Sequence, residues 1–207
     1  AMDWFQQNHR IAGLEKEKVH AELSLLKQQL NPHFFFNTLN NLYALSLEKS
    51  DKAPESILLL SELMRYVIYK GNQPQVPIEL EIRCLEDYIA LQRLRIAIDS
   101  EITFTTSIND NTMTIPPLLL IIFVENAFKH GIEPAEKPGF LSLSLESSPK
   151  SLTFTCLNSF ESPEPSTEGI GLQNLRRRLE LLYLNHHTLT IEKGNGIFKA
   201  VLTLHNQ

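Results

Sequence analysis

The spacing of apolar residues changes near residue 100, and this change restricts the fold more than any other feature of the sequence. Before it, apolar residues recur every three or four positions, as in amphipathic helices. After it, residues 101–108, 140–147 and 151–159 alternate between apolar and polar positions, as half-buried strands do. We therefore predict a helical region followed by an α/β sandwich.

Residues 3–50 are predicted to form one long helix that is interrupted at Pro32. Apolar residues upstream of the proline have the spacing of a helix–helix seam, at Val19, Leu23, Leu26 and Leu30. The apolar stripe restarts at Phe35, Leu39 and Leu42. The seam therefore changes phase at the proline, which breaks helical hydrogen bonding. This change would turn His33 outward, toward solvent or a ligand.

The remaining elements follow from the same patterns. A second helix is predicted at 54–71, and its apolar face is Ile57, Leu60, Leu63, Met64, Val67 and Ile68. A linker at 71–77 leads to a third helix at 78–97. Segments 140–147 and 151–159 are expected to be antiparallel neighbours, and the chain closes with a hairpin. We divide the chain into a helical domain, 1–73, and an α/β domain, 74–207.

Composition limits the function classes. The 207-residue chain has a net charge of −5, which argues against non-specific binding to nucleic acid. It contains no run of 18 apolar residues and no signal peptide. Cys84 and Cys156 lie in apolar segments, so we expect buried free thiols in a reducing compartment. The initial AMD resembles a cloning remnant, so we expect a cytoplasmic fragment of a longer, membrane-anchored protein.

Residues 116–131, PPLLLIIFVENAFKHG, are predicted to form a helix that begins with proline and ends at glycine. Asn126, Lys129 and His130 are spaced to share one face, with Glu125 beside them. An asparagine carbonyl suits Mg²⁺, and lysine and histidine can contact phosphates. Taken alone, this face is more typical of the solvated side of an amphipathic helix.

The segment EGIGLQNLRRRLELLY joins a polar loop to a predicted helix, 171–183. Gly169 and Gly171 let the backbone approach a ligand, and residues 171–174 would offer free N–H groups to an anion. Positive charge is added by Arg176, Arg177 and Arg178. Two glycines also suit an ordinary loop and helix cap, and the chain contains neither a P-loop nor a Rossmann fingerprint.

The segment NPHFFFN places His33 beside the predicted helix break, with Gln29 and Asn37 one turn to either side. A neutral imidazole nitrogen is a competent nucleophile near pH 7. Alone, a histidine in a helix is more often structural than catalytic.

Together and in this order, the three segments resemble the sensor histidine kinases of the LytS/YehU type. LKQQLNPHFFFNTLNNL resembles the phosphoacceptor helix, IPPLLLIIFVENAFKHGI the N box, and GIGLQNLRRRLELLY the glycine box. LLLSELMRYVIY and VPIELEIRCLEDYIALQRLRI resemble the segments between the first two. The resemblance covers residues 15–205.

This resemblance implies a dimerisation and histidine-phosphotransfer hairpin, which forms a four-helix bundle as a dimer, followed by a Bergerat-type ATP-binding domain. It implies that His33 is the phosphoacceptor, that Asn126 is the Mg²⁺ ligand, and that Lys129 and His130 contact phosphates. The ATP lid and its helix would include Gly169, Gly171, Leu172 and Asn174.

Several positions depart from the pattern of related proteins, among them Ile121, where a glutamine is common. Asn158 stands where many members carry an aspartate that reads the adenine amino group, and its carbonyl can accept from that amine. Phe34, not an acid, follows His33, so the base for His33 is unidentified, although Glu125 can polarise a nucleophile. Ile122 stands where related ATPases carry a water-activating glutamate, which favours transfer over hydrolysis.

We therefore expect the kinase core of a two-component sensor kinase that phosphorylates His33 with ATP and Mg²⁺. It would form a homodimer and pass the phosphoryl group to a response regulator of the LytTR type, without contacting nucleic acid itself. One alternative is a pseudokinase scaffold with weak or no ATP binding. The other is an ATPase of the gyrase/chaperone superfamily, which Ile122 and the phosphoacceptor motif disfavour.

Overall fold

The computed structural model describes residues 32–96, 98–110, 112–160 and 169–205. The helix predicted upstream of Pro32, its seam and the phase change at the proline therefore lie outside the described residues. Helix α1, Pro32–Leu47, begins at the proline itself, where a missing N–H is tolerated. The polar loop at 161–168 also lies outside the described part of the chain.

A helical hairpin forms the first part of the described chain. Helix α1 is followed by α2, Lys52–Arg65, which continues directly into a first π-helix, Tyr66–Lys70. The predicted helix at 54–71 is confirmed in extent, but its last turn is π rather than α. Its predicted apolar face is only partly correct. Leu60 and Leu63 are buried, whereas Ile57, Met64 and Ile68 are exposed.

Helix α3, Ile78–Arg93, connects the hairpin to the sheet. It is preceded by β1, Val76–Pro77, which pairs antiparallel with β3, Thr114–Ile115. This two-residue ladder was not predicted. Helix α3 packs along α2 and also contacts α4, described below. The hairpin is thus attached to the rest of the molecule through α3.

A five-stranded sheet forms the second half of the molecule, in the order β2-β4-β5-β7-β6. Its strands are β2 Glu101–Ser107, β4 Phe140–Ser148, β5 Ser151–Ser159, β6 His187–Gly194 and β7 Ile197–His205. The antiparallel pairing of β4 with β5 and the closing β6–β7 hairpin confirm the sequence predictions. The parallel pairing of β2 with β4 was not predicted.

Alternate side chains of the central strands are buried beneath helices, as in a sheet with one covered face. The buried side chains of β4 and β5 are Leu141, Leu143, Leu145, Ser147, Leu152, Phe154, Cys156 and Asn158. Helix α4, Ile121–Ala127, packs against β5 and against α5, Ile170–Leu182. Cys84 and Cys156 are both buried and free, as predicted. The predicted order of helices followed by an α/β sandwich is confirmed.

The helix expected at 116–131 differs at both ends. Residues 117–120 form turns, with Leu118 at a φ of 59°, so the helix begins at Ile121 and not at the prolines. It then continues as a second π-helix, Phe128–Ile132. No helix in the described residues is both long and apolar enough to cross a membrane.

Candidate functional site

The side chains predicted for one face of the 116–131 segment lie at the surface of α4 and the second π-helix. Glu125 and Asn126 are half-buried, and Lys129 and His130 are exposed. The apolar side predicted for this helix is buried at Leu119 and Phe123 and half-buried at Ile122. The helix therefore presents a polar face to solvent while its other face packs on the sheet.

The π-turn brings this helix close to the end of β5. The Glu133 amide bonds to the Phe128 carbonyl at 2.8 Å, which is an i to i+5 bond. A methyl group at Gly131 would overlap the Asn158 Nδ2 atom and the Ser159 carbonyl oxygen. Glycine at this position thus permits a contact between helix and strand that no other residue could make without displacement.

Asn158 lies at this contact and is 1% exposed. Its Nδ2 donates to the Ser159 carbonyl at 2.8 Å, whereas its Oδ1 has no hydrogen-bond partner among the described residues. Buried carbonyl oxygens rarely lack a partner. An unpaired acceptor at this point can receive a hydrogen bond from a ligand amine, as the sequence predicted for adenine.

A second unpaired atom belongs to Asn126. Its Nδ2 is buried and has no partner among the described residues. The Asn126 carboxamide lies 3.5 Å from the position that a Cβ on Gly171 would occupy. The structure therefore brings together Asn126 of the N box and Gly171 of the glycine box, which are 45 positions apart in sequence.

The glycine-box helix agrees only in part with the predictions. Leu172 is buried and Asn174 is half-buried. The amides of Leu172 and Gln173 already donate to the Gly169 carbonyl, at 3.0 and 3.2 Å. Free N–H groups were expected throughout 171–174, and this expectation is wrong for these two residues, because the helix begins one residue earlier, at Ile170.

The arginines of this helix do not act together. Arg177 is exposed and forms an ion pair with Glu180 at 3.5 Å. Arg178 is buried and donates to the Leu118 carbonyl at 2.9 Å and to the Pro117 carbonyl. The prediction that all three arginines supply positive charge to the site is therefore wrong for Arg178, whose guanidinium faces the interior.

His33 is exposed, as the predicted phase change implied. Asn37 Nδ2 lies 3.1 Å from His33 Nδ1 and 3.2 Å from Nε2, so Asn37 contacts the ring as predicted. Gln29 lies outside the described residues. The next residue, Phe34, is buried, and its ring centroid lies 4.5 Å from that of Tyr88 on α3. The histidine thus faces solvent from a helix that is docked on α3.

Glu125 lies on the same crevice as this docked helix. The crevice is lined by Phe34, Phe35, Leu63, Val67, Tyr88, Ile121 and Glu125. Burial, followed by the charge of Glu125, raises the pKa of Tyr88. The N-box carboxylate is therefore the acidic group that lines the crevice beside the phenylalanines following His33.

Positive charge gathers around His130. Burial, then Lys129, then Lys193 lower the pKa of its imidazole. Lys193 on β6 also lies 5.8 Å and 5.7 Å from the ring centroids of Phe160 and Phe198. Lys193 was not predicted from the sequence, because only the pairing of β6 with β7 brings it close to Phe198 and His130. Among the described residues, no cluster of three or more His, Cys, Asp or Glu could hold a metal.

Residues 21–99 match the histidine kinase family. The chain is similar to the sensor histidine kinase YpdA of Escherichia coli, with 31% identity over 201 residues that cover 91% of this chain and 35% of that protein. It is also similar to the sensor protein LytS of Streptococcus mutans, with 29% identity over 181 residues, or 79% of this chain and 30% of that protein. The chain thus spans about a third of the length of these relatives.

The fold is also found in a solved structure, the histidine kinase domain of a blue-light-activated histidine kinase from Erythrobacter litoralis. The two structures superpose with a TM-score of 0.50 at 13% identity, covering 91% of this chain and 95% of that one. At this identity the likeness shows that the fold is shared.

Proposed function

From the premise that the chain belongs to the LytS-like sensor histidine kinases, we propose that it is the ATP-dependent kinase core of such a protein. In this proposal Mg²⁺ and ATP bind between Asn126 and the glycine-box helix, and the γ-phosphoryl group is transferred to a nitrogen of His33. The phosphoryl group then passes to an aspartate of a response regulator, which we expect to be of the LytTR type.

One observation carries the proposal. Three buried side-chain atoms have no partner among the described residues, Asn126 Nδ2, Asn158 Oδ1 and Arg178 Nε, and the first two belong to residues that the sequence assigned to nucleotide binding. Leaving a buried polar group unpaired costs about 1–3 kcal/mol. A nucleotide offers what the two asparagine atoms lack, because its phosphate oxygens accept hydrogen bonds and its adenine amine donates one.

The residues of the site suit this chemistry. Asn126 Oδ1 is an oxygen ligand of the type that Mg²⁺ prefers, and Lys129 and His130 are exposed on the next turn to meet phosphate oxygens. ATP would supply the phosphoryl group and Mg²⁺ would neutralise its charge. Asn37 orients the His33 ring, so that one imidazole nitrogen presents its lone pair to the γ-phosphorus. As that N–P bond forms, the bond from the γ-phosphorus to the bridging oxygen breaks, ADP leaves, and the proton on the other nitrogen passes to water. Glu125 is the carboxylate that we assign to polarise the ring.

An exposed apolar stripe on the hairpin supports a homodimer. The stripe consists of Phe36, Leu39, Tyr43 and Leu47 on α1 and Ile57, Met64 and Ile68 on α2 and the first π-helix. Their spacing of three, four or seven residues places them along the hairpin. A second hairpin would bury both rows in a four-helix bundle. We propose this arrangement, with the longer protein anchored in a membrane.

The test is incubation of the purified chain with [γ-³²P]ATP and Mg²⁺. We expect protein-bound label that is acid-labile, that is lost in His33→Gln, and that persists in His205→Gln, which changes another exposed histidine. Label that survives in His33→Gln would contradict the assignment of His33. Steady release of phosphate without label would instead favour an ATPase.

A pseudokinase scaffold is the second candidate, because an asparagine stands at the adenine position and its amide is committed to the Ser159 carbonyl. In that case no label would form with any variant, although the chain would still dimerise. Isothermal titration with MgATP then separates a scaffold that binds nucleotide from one that does not.

A further inference from the structure

The loop that precedes α4, residues 117–120, is fixed by a buried carboxylate from a different element. Glu81 on α3 is 0% exposed. Its Oε2 accepts from the Leu118 amide at 2.9 Å, and its Oε1 accepts from the Leu120 amide at 3.1 Å. Leu120 is the N-cap of α4, so the carboxylate stands at the positive end of the helix that carries Asn126.

The same loop is held from the other side by the glycine-box helix. Arg178 on α5 donates to the carbonyls of Pro117 and Leu118. The amides of Leu118 and Leu120 and the carbonyls of Pro117 and Leu118 are therefore bonded to the Glu81 and Arg178 side chains, which explains how Leu118 keeps its positive φ. The position of the turn sets where α4 begins.

The helical hairpin completes this arrangement through one hydroxyl group. Tyr66, the first residue of the first π-helix, donates to Glu81 Oε2 at 2.5 Å. Burial raises the pKa of Glu81, whereas the Tyr66 hydroxyl, the two loop amides and the charge of Arg178 each lower it. A buried carboxylate keeps its charge only with such partners. The loop thus depends on a donor that belongs to the hairpin.

Space for movement exists beside this donor. Tyr66 borders a cavity of about 490 Å³ between the first π-helix and α3, which is also lined by Tyr69, Leu80 and Cys84. A displacement of the π-helix into this cavity would withdraw the hydroxyl from Glu81. Close packing does not oppose that movement here, as it would in a filled core.

We propose that Tyr66 is a positioning residue for the nucleotide site: through Glu81 it secures the 117–120 loop, so that the position of the helical hairpin determines the placement of Asn126. The effect on binding rests on the proposed function, because Asn126 is a ligand-binding residue only if the site takes a nucleotide. The anchoring of the loop can be measured without any ligand.

The experiment compares the wild-type chain with Tyr66→Phe, and uses Tyr69→Phe as the control because Tyr69 is 71% exposed on the same π-helix. Amide hydrogen exchange is followed at Leu118 and Leu120, and at Phe154 in the sheet as a global reference. We expect Tyr66→Phe to lower protection at Leu118 and Leu120 about tenfold, as for a lost bond to a charged group. Phe154 and the control variant should remain unchanged.

The second measurement is MgATP affinity by calorimetry, which we expect to weaken about three- to tenfold in Tyr66→Phe alone. Equal loop exchange in wild type and Tyr66→Phe would overturn the inference, whatever the calorimetry gives. Lost protection with unchanged MgATP affinity would overturn the link from loop to site. Lost protection when even the wild type binds no MgATP would uphold the anchoring and refute the proposed function instead.

Discussion

Asn126 and Asn158 each hold one buried polar atom that has no hydrogen-bond partner among the described residues. Such atoms cost stability in a protein that has nothing to bind, and the cost is recovered when a ligand supplies the missing partner. At the scale of single residues, these two atoms are consistent with the nucleotide site that we propose. Asparagine suits this role because its carboxamide both donates and accepts.

A different residue, Asp87, makes stability depend on pH. Burial, followed by the nearby Glu62 and Glu86 carboxylates, raises the pKa of Asp87 to about 6 against a lowering effect of Arg83. The folded chain therefore binds this proton more tightly than the unfolded chain. The free energy of unfolding therefore rises as the pH falls from above 6 toward 4, and it falls again as the pH rises through 6. Near pH 7.5 the charged carboxylate costs stability in full.

We expect Asp87→Asn to raise the free energy of unfolding at pH 7.5 by about 0.5–1 kcal/mol, a value discounted for solvent screening. The gain should shrink as the pH is lowered to 4. Urea denaturation between pH 4 and 8 measures both effects, with Asp99→Asn, an exposed aspartate, as the control. A gain that is independent of pH would contradict the raised pKa.

Residues whose role follows from their own neighbours in sequence could be predicted, and residues that act across the fold could not. The exposure of His33 was predicted from a change of phase at Pro32, and its contact with Asn37 from helical spacing. The interior position of Arg178 did not, because three adjacent arginines look alike in sequence. Only the turn at Leu118, which lies 60 positions away, distinguishes one of them.

At the scale of elements, two π-helices alter what the sequence predicts. Periodicity placed the helices at 54–71 and 116–131 nearly correctly, because an apolar face identifies a helix whatever its winding. It could not detect the π-turns at 66–70 and 128–132, nor the delayed start at Ile121. These features depend on contacts with Glu81, Arg178 and β5. They occur where the hairpin and the candidate nucleotide site meet the rest of the molecule.

The contact between the second π-helix and β5 gives a prediction. Gly131→Ala would place a methyl group against Asn158 Nδ2 and the Ser159 carbonyl. We expect a loss of about 1–3 kcal/mol in the free energy of unfolding, since overpacking forces neighbours to shift, together with weaker MgATP binding. Chemical denaturation and calorimetry measure the two effects.

The matched control is Gly194→Ala, because a Cβ at Gly194 meets nothing within 4 Å. It should leave both stability and binding close to the wild-type values. If Gly131→Ala behaves like this control, the close approach of helix to strand is not required for the site.

At the scale of the whole molecule, the exposed apolar stripe is the feature that a monomer leaves unexplained. The sequence predicted the order of helices and sheet and the pairing of β4 with β5, since each depends on local alternation. It predicted which hairpin residues are apolar, but not which of them are buried within the chain and which are exposed. Leu60 and Leu63 pack inside the chain, while Ile57, Met64 and Ile68 remain outside. A partner for the outer row is therefore expected.

We expect the double variant Leu39→Glu, Ile57→Glu to raise the dimer dissociation constant at least about 100-fold, because each glutamate replaces an apolar side chain that the bundle would bury. Sedimentation velocity across a concentration series measures this change. Leu184→Glu, at an exposed leucine just after α5, is the control and should dimerise as the wild type does. A wild-type chain that is monomeric at high concentration would contradict the proposed bundle.

The two π-turns also bear on how related chains should be aligned. Each i to i+5 turn accommodates one residue more than an α-turn. A homologue with plain α-helices would therefore need a one-residue gap inside 66–70 or 128–132 when it is aligned with this chain. Without that gap, its hairpin and its N-box asparagine could not both be aligned with the rest of the chain. Gap placement at these two positions would then mark which members of the family share this geometry, before any of their structures is known.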